Sequence, residues 1–377
     1  MSGWVPLYIL YIGSRFFSPD PWGNSNDYTV YLGYLIEYSG VILSACLFIE
    51  KRIYWNSLLL IIFFYYFTTI LFTPFHVDFI NLTVYHHAAK GLLYVFLAFS
   101  MLSNKKVHLD EVILHFAVIL GVSQLVQVVS AISMKHLFTF GAMGSYAGLI
   151  CLLGAYVFFK RTELLTLVRI LGIIFFLFLA FVANSLNSIL SFTAAMLIYY
   201  LLNARYLRLF IIFCIISFLF FWINSFENEA IIIANKSLND IKTGSGRLLI
   251  YMHCIDFYIS DKLPILGFGL LNESLIFRHS HPLENGPLTC HSSILSTISS
   301  YGFFGILYLA IIYLLLTVYL LRLSAYKNYI SELSFLVLCS LFIFGFFSTF
   351  LPGAGSPLLS LAIFAWGRKK VLKYNII

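Results

Sequence analysis

The sequence predicts an all-α integral membrane protein with about 12 transmembrane helices and one large outer loop domain before the tenth helix. Hydrophobic residues make up 61% of the 377 residues and charged residues only 10%, against about 45–50% and about 25% in soluble domains. At roughly 20 residues per span, the length accommodates about 10–14 helices. This composition excludes a soluble enzyme, a disordered chain and a disulfide-stapled secreted domain, and it does not suggest nucleic-acid binding.

Twelve continuous apolar runs are the candidate spans. The first and the last are short, so they could be tilted or re-entrant. In chain order the runs are Gly3–Phe17, Tyr28–Ile49, Tyr54–Thr73, Ile80–Leu102, Val112–Ser133, Gly144–Phe159, Leu164–Ala183, Leu186–Leu202, Leu207–Ile223, His291–Leu321, Leu333–Leu351 and Leu358–Trp366.

The basic residues give the orientation. Of the 23 Lys and Arg residues, fourteen lie after even-numbered spans, six lie on the opposite side and three lie inside runs. Because cytoplasmic connections are rich in Lys and Arg, both termini are expected in the cytoplasm. No cleavable signal peptide is apparent in the first run, which lacks a basic start and a small-residue cleavage site.

One connection is much longer than the others. Residues 224–290 follow nine predicted spans in residues 1–223 and precede three spans and a cytoplasmic tail in residues 291–377. Long connections in compact proteins are usually functional or disordered. Leu248–Ile259 has the pattern of an amphipathic helix, so an ordered outer domain that leans on the membrane surface is expected.

Two of the six cysteines, Cys254 and Cys290, lie in this outer segment. The outer side is oxidising, so they could form a disulfide, although two unpaired thiols are the simpler interpretation. The other four lie in apolar runs and are interpreted as packing residues. No Cys–His spacing indicates a metal site.

Ionisable residues mark the candidate sites. His87 and Lys90 share one helix face; they either line an anion-binding wall or lie near the outer interface, where Lys90 reaches towards water. In the loop, Gly246 and Arg247 precede the amphipathic helix, where open backbone N–H groups and an arginine favour an anion. Arg278 and His281 follow in the loop, and His291 begins the tenth span.

Three short elements resemble the superfamily of O-antigen polymerases and O-antigen ligases. They are Gly246-Arg247, the turn Pro264-Ile-Leu-Gly267-Phe-Gly269, and His291-Ser292 followed after nine residues by Gly302-Phe-Phe-Gly305. Their order and spacing agree with the family pattern over residues 244–305. The long late outer loop extends the resemblance more loosely to the whole chain.

The resemblance implies a GT-C-like glycosyltransferase in the bacterial inner membrane, with a periplasmic active site. Its donor would be an undecaprenyl-diphosphate-linked oligosaccharide and its acceptor a glycan lipid, and it would use no metal or cofactor. A chain-length regulator and a flippase would be membrane partners. The implied roles are catalysis for His291 and Arg247, substrate binding for Arg278, Lys90, His87, His281 and Gly246, and structure for Gly267, Gly269, Gly302 and Gly305.

The chain departs from the family at one place. The family often has a Ser-Arg element where an earlier span begins at the outer face, but here Ala183–Ser188 contains no arginine. Lys90, Lys135 or Arg278 could replace it. A polymerase that extends one lipid-linked glycan with another is the favoured prediction. A ligase that transfers the glycan to lipid A core is the alternative, and a flippase of lipid-linked glycans or a non-catalytic scaffold fits less well.

Overall fold

The computed structural model describes residues 107–133, 141–183, 185–202, 247–260, 265–269, 292–326, 328–347 and 361–367, and the single residues 95, 98, 101, 102, 290 and 359. These residues form helices and turns, and no β-strand occurs among them. The helices are α1 Leu109–Ser133, α2 Gly141–Lys160, α3 Thr166–Val182, α4 Leu186–Leu202, α5 Arg247–Ile259, α6 Ser293–Ser324 and α7 Tyr329–Phe347. Residues 361–367 are also helical.

The helices agree closely with the apolar runs. The predicted span Leu186–Leu202 has the same bounds as α4, and the predicted amphipathic helix Leu248–Ile259 differs from α5 by one residue. Among the described helices, α6 and residues Tyr329–Phe346 of α7 are long and apolar enough to cross a membrane. The described part is therefore consistent with a helical membrane protein. Runs 1, 2, 3 and 9 and most of the 224–290 loop lie outside the described residues.

The chain divides into two compact units, of which the first includes Lys90–Ser188 and Ser356–Ile377. In this unit α1, α2 and α3 pack through small residues, because glycine allows two helices to approach closely. A Cβ at Gly154 would lie 3.1 Å from Ala117 and 3.2 Å from the ring of Phe176. Around this contact Phe116 and Leu179 are fully buried.

An ion pair fixes one end of the first unit. Arg161, just beyond the end of α2, donates from Nη2 to Oδ2 of Asp110 in the first turn of α1 over 2.6 Å. The start of α1 and the end of α2 therefore lie side by side, as expected for two consecutive antiparallel spans. Asp110 also places a negative charge at the positive end of the α1 dipole.

Two helices present long apolar faces to their surroundings. Leu167 and Phe181 of α3 are 69% and 81% exposed, and Phe303 and Leu314 of α6 are 60% and 66% exposed. Water-soluble monomers rarely expose so much contiguous apolar surface. Lipid would cover these faces in a membrane protein.

The second unit includes Ile189–Gly355 and is held together by aromatic contacts. The ring of Tyr313 in α6 lies 4.5 Å from that of Phe342 in α7, edge to face. Tyr199 of α4 contacts Phe335 of α7 at 5.2 Å. The hydroxyl of Tyr251 in α5 donates to the carbonyl of Phe346 over 2.9 Å, so α5 is hydrogen-bonded to α7.

Helix α5 has the two faces that its sequence predicts. Ile250 and Cys254 are buried on one side, whereas Ile255 and Ile259 on the other side are 44% and 73% exposed. The buried side packs against α6. The exposed side carries apolar residues beside the exposed Asp256, a mixture that is consistent with the predicted position against the membrane surface.

Candidate functional site

The predicted tenth span is not one continuous helix. Gly302 has φ 56° and ψ −130° inside α6. This residue divides the helix into a short first half, residues 293–301, and a longer second half, residues 303–324. A positive φ with this ψ is accessible to glycine and strained for other residues. The family resemblance implied a structural role for Gly302, and the structure shows that this role is a break in the helix.

The glycine-rich turn is hydrogen-bonded to the residues on both sides of this break. Residues 265–269 form a turn in which Gly267 and Gly269 have φ values of 73° and 84°. The N–H of Phe268 donates to the carbonyl of Ser299 over 2.8 Å, and the N–H of Gly269 donates to the carbonyl of Ser300 over 3.0 Å. In return, the N–H of Phe303 donates to the carbonyl of Ile265 over 3.0 Å.

These hydrogen bonds replace those that the helix loses at Gly302. In a continuous helix the carbonyls of Ser299 and Ser300 would accept from the N–H groups four residues later. The break removes those partners, and a buried backbone group without a partner is costly. The turn supplies two donors and one acceptor in their place, so the turn and the break stabilise each other.

The turn lies so close to α6 that no side chain fits between them. A Cβ at Gly267 would lie 2.5 Å from the carbonyl carbon of Ser300 and 2.6 Å from the nitrogen of Gly302. Both are backbone atoms, which cannot turn aside as a side chain does. Gly267 is therefore required by its φ and by the contact itself.

Gly305 has a related role beyond the break. A Cβ there would collide with the carbonyl oxygen of Thr297. Eight residues along a straight helix correspond to about 12 Å, so this contact shows how sharply the two halves of α6 bend towards each other. Gly305 thus permits close packing, but within its own helix.

A tyrosine of α5 is hydrogen-bonded to the first half of α6. The hydroxyl of Tyr258 donates to the carbonyl of Leu295 over 3.0 Å and lies 2.5 Å from Oγ of Ser299. Burial raises the pKa of the Tyr258 phenol, and the Cys290 and Cys254 thiols add to the shift. The phenol therefore remains protonated at neutral pH and acts as a hydrogen-bond donor.

Next to this tyrosine lie Cys254 and Cys290. Sγ of Cys254 lies 2.9 Å from Sγ of Cys290, and Sγ of Cys290 lies 3.6 Å from Oγ of Ser299. Both cysteines are completely buried, in a cluster with Ile250 and Leu295. Residue 290 is thus held against α5, immediately before His291 in the chain.

The first half of α6 is unusually polar for an apolar span. Its serine and threonine residues are almost completely buried; they are Ser293, Ser296, Thr297, Ser299 and Ser300. Ser296 and Ser300, one turn apart, have no hydrogen-bond partner for their hydroxyl groups. A buried hydroxyl in this condition is available to a bound water or ligand.

The predicted site residues divide into two groups. Gly267, Gly269, Gly302 and Gly305 are brought together as described, and Arg247 is the first residue of α5. The Arg247 side chain lies outside the described atoms. The remaining predicted residues also lie outside the described part of the chain; they are His291, Arg278, His281, Gly246, His87 and Lys90.

The place of the missing family arginine is partly described. Ser185 and Ser188 begin α4, and their hydroxyl groups are 2.9 Å apart. Both are buried, and a Cβ at Gly148 of α2 would lie 3.0 Å from Oγ of Ser188. Two serines therefore fill this position by packing against α2.

Tyr258 and Ser299 are functional-site residues that no sequence pattern singled out. The Ser-rich stretch from Ser292 to Ser300 was a visible signal, because six hydroxyl residues within nine are unusual at the start of an apolar span. Tyr258 gave no such signal. Its role depends on contacts with Leu295 and Ser299, which follow it in the chain by 37 and 41 positions.

Comparison with known families agrees with the motifs. Residues 171–310 match the sequence profile of a family described as O-antigen ligase. The match runs from α3 into α6 and includes the turn, the break and all three elements of the predicted motif. It confirms the resemblance to the O-antigen polymerase and ligase superfamily, whose members are glycosyltransferase-like enzymes that act on lipid-linked polysaccharides. No curated protein matches the chain.

Proposed function

We propose that the protein is a polysaccharide polymerase that joins lipid-linked glycan repeat units at the periplasmic face of the bacterial inner membrane. One observation carries the proposal. The turn at Gly267 and Gly269 and the break at Gly302 are hydrogen-bonded backbone to backbone, within the segment that matches the family. The motif is therefore one folded unit; α5, which begins at Arg247, precedes the turn in the chain, and His291 precedes the first half of α6.

The proposed architecture is the one that the charges predict. Twelve spans place both termini in the cytoplasm and residues 224–290 in the periplasm. The apolar faces of α3 and α6 support membrane embedding, and the Asp110–Arg161 pair supports the antiparallel order of two consecutive spans. The exposed apolar side chains of α5, Met252, Ile255 and Ile259, would rest on the outer leaflet.

Arg247 would stabilise the leaving group. In the proposed reaction the bond between the anomeric carbon and the phosphate oxygen of the donor breaks, and the diphosphate leaves with the electron pair. Cations and open N–H groups at a helix start stabilise that developing charge. Arg247 begins α5, Gly246 adds no side chain in front of it, and Arg278 would provide the second cation.

His291 would act as the general base. A sugar hydroxyl of the acceptor gives its proton to the imidazole while its oxygen attacks the anomeric carbon from the side opposite to the diphosphate, which inverts the configuration. Histidine suits this role because its pKa lies near the working pH. Its neighbours Cys290 and Ser292 are buried, so the backbone on both sides of His291 is held in place.

Ligation is the second candidate function. It uses the same donor and the same two residues, and the matching family is described as O-antigen ligase. Polymerisation is preferred because no arginine lies between Ala183 and Ser188. Lys90, His87 and His281 are assigned to substrate binding in either case, and a flippase and a chain-length regulator are the proposed membrane partners.

The length distribution of surface polysaccharide in a deletion strain distinguishes the two functions. Loss of a polymerase leaves a single repeat unit on the final acceptor. Loss of a ligase leaves the acceptor bare, while lipid-linked polymer accumulates. A deletion strain with an unchanged length distribution and unchanged lipid-linked intermediates would contradict both.

Point variants test the two assigned roles. We expect His291→Ala and Arg247→Ala to abolish chain extension, with the same amount of folded protein in the membrane. The matched controls are His108→Ala and Arg322→Ala, since both of these side chains are exposed and lie outside the motif. Full activity of His291→Ala would rule out its assignment as the base.

A further inference from the structure

We propose that Cys254 and Cys290 form a disulfide that fixes α5 to the residue before His291. The inference rests on the proposed function in one respect, the position of this segment on the oxidising side of the membrane. The two sulfur atoms are 2.9 Å apart, and the residues are 36 positions apart in the chain. A disulfide bond is about 2.05 Å long, so only a small movement of the two side chains separates these thiols from bonding distance.

The surroundings keep the pair together. Cys254 and Cys290 are both completely buried, in contact with Ile250, Leu295 and the partly buried Phe268. The other two described cysteines are placed differently: Cys151 lies 3.7 Å from the carbonyl of Ala117, and Cys339 is buried within α7. Among the described cysteines, only Cys254 and Cys290 face each other.

The proposed oxidation is a thiol–disulfide exchange. Together the two thiols lose two protons and two electrons, and a bond forms between their sulfur atoms. The electrons reduce the disulfide of a periplasmic thiol oxidoreductase, which becomes a dithiol. Because the folded protein buries both sulfur atoms, the exchange takes place while the segment is entering the periplasm.

The disulfide would set the distance between the two proposed catalytic residues. Arg247 precedes Cys254 by seven residues in α5, which is about 10 Å along the helix axis. His291 follows Cys290 directly. Tyr258, one turn after Cys254, adds the hydrogen bond to Leu295 over 3.0 Å. The disulfide and Tyr258 are thus consecutive attachments of α5 to α6, and both are positioning elements with no part in proton transfer.

Counting free thiols tests the bond in the full-length protein. Membranes are denatured in sodium dodecyl sulfate with a maleimide–polyethylene glycol reagent, which adds one visible mass step per thiol. The chain has 6 cysteines, so we expect four adducts without reduction and six after reduction. Six adducts in both samples would overturn the proposal.

Variants identify the bonded pair. Cys254→Ser and Cys290→Ser should each give five adducts with and without reduction, since the remaining partner is left as a free thiol. The matched control Cys151→Ser should keep the difference and give three and five. A difference of two adducts that persists in Cys254→Ser would mean that another pair is bonded and would reject this assignment.

A thermal measurement tests the positioning role without using activity. If the bond fixes α5, Cys254→Ser, Cys290→Ser and the double variant should lower the aggregation temperature in detergent by the same amount, and reductant should lower only that of the wild type. If the decrease in aggregation temperature in the double variant equals the sum of the two single decreases, the two residues only pack against their neighbours. That result would reject a disulfide that fixes α5.

These results are separable from the proposed function. Free thiols together with an inactive His291→Ala would reject the disulfide and leave the enzyme assignment standing. Four adducts together with a fully active His291→Ala would do the reverse.

Discussion

Replacing Gly267 by alanine should detach the glycine turn from α6. The substitution has two costs. A left-handed φ costs a residue other than glycine about 1–2 kcal/mol, and the overlap of a Cβ with backbone atoms 2.5 Å away costs about 1–3 kcal/mol. Together they come to about 2–5 kcal/mol.

That cost is comparable with what holds the turn in place. The three backbone hydrogen bonds between the turn and α6 contribute about 0.5–1.5 kcal/mol each. The strain can therefore be relieved by separating the two segments. We expect the amide hydrogens of Phe268 and Gly269 to exchange at least ~30-fold faster in the variant, the factor that corresponds to about 2 kcal/mol.

Hydrogen exchange of the full-length protein in detergent, read on peptides that cover 265–269, measures this opening. Chain extension by the same variant should fall with it. The matched control is Gly154→Ala in the other unit, where a Cβ would meet only side chains, at 3.1 Å or more; exchange at Phe268 and Gly269 should not change.

A second substitution separates sterics from backbone strain. Asparagine tolerates a positive φ but has the same Cβ as alanine. Gly267→Asn should therefore keep the steric cost of about 1–3 kcal/mol, so its exchange should be slower than in Gly267→Ala but still faster than in the wild type. Exchange rates in Gly267→Asn equal to those of the wild type would refute the steric argument.

Further predictions follow from other contacts. Tyr258→Phe keeps the ring but loses the hydrogen bond to Leu295. Because Ser299 still donates to the same carbonyl, the loss should cost about 0.5–1.5 kcal/mol and lower the thermal denaturation temperature; an unchanged temperature would contradict this role. Since the pKa of Tyr258 is raised in the folded protein, its contribution is complete below the unfolded value of about 10 and is lost above it, so the wild type should lose stability more steeply than Tyr258→Phe in alkali. Gly305→Ala should abolish chain extension because the new Cβ collides with the carbonyl of Thr297; wild-type polymer from this variant would show that the bend can relax. Asp110→Asn should lower stability by about 0.2–1 kcal/mol, because the pair with Arg161 is partly exposed and such pairs contribute little, and the exchanged pair Asp110→Arg with Arg161→Asp should recover the loss if the ion pair is its cause.

The helices were predictable from the sequence because their signal is local. A continuous apolar run reports a span by itself, which is why Leu186–Leu202 was found with its final bounds. The same reliance on continuous apolar runs concealed the break in α6. Glycine is common in transmembrane helices, so the run through Gly302 appeared to be one span, and only its φ of 56° shows otherwise.

The site was predictable as a set of residue types, although its contacts were not. The spacing of Gly267, Gly269 and Gly302 indicated a shared motif, but nothing in the spacing indicated that the turn donates to the carbonyls of Ser299 and Ser300. The proximity of Cys254 and Cys290 was likewise open in the sequence. These contacts join segments that are distant in the chain, and local patterns carry no information about such distances.

The break at Gly302 also changes how α6 fits the thickness of a bilayer. A straight helix of 32 residues would be about 48 Å long, whereas the hydrocarbon core is about 30 Å thick. After the break, residues 303–324 form a segment of about 33 Å, which is sufficient to cross the core. The hydroxyl-rich residues 293–301 are then not needed for crossing. In the proposed topology they would form a short arm at the outer boundary, where their polar side chains are buried by protein and not exposed to lipid.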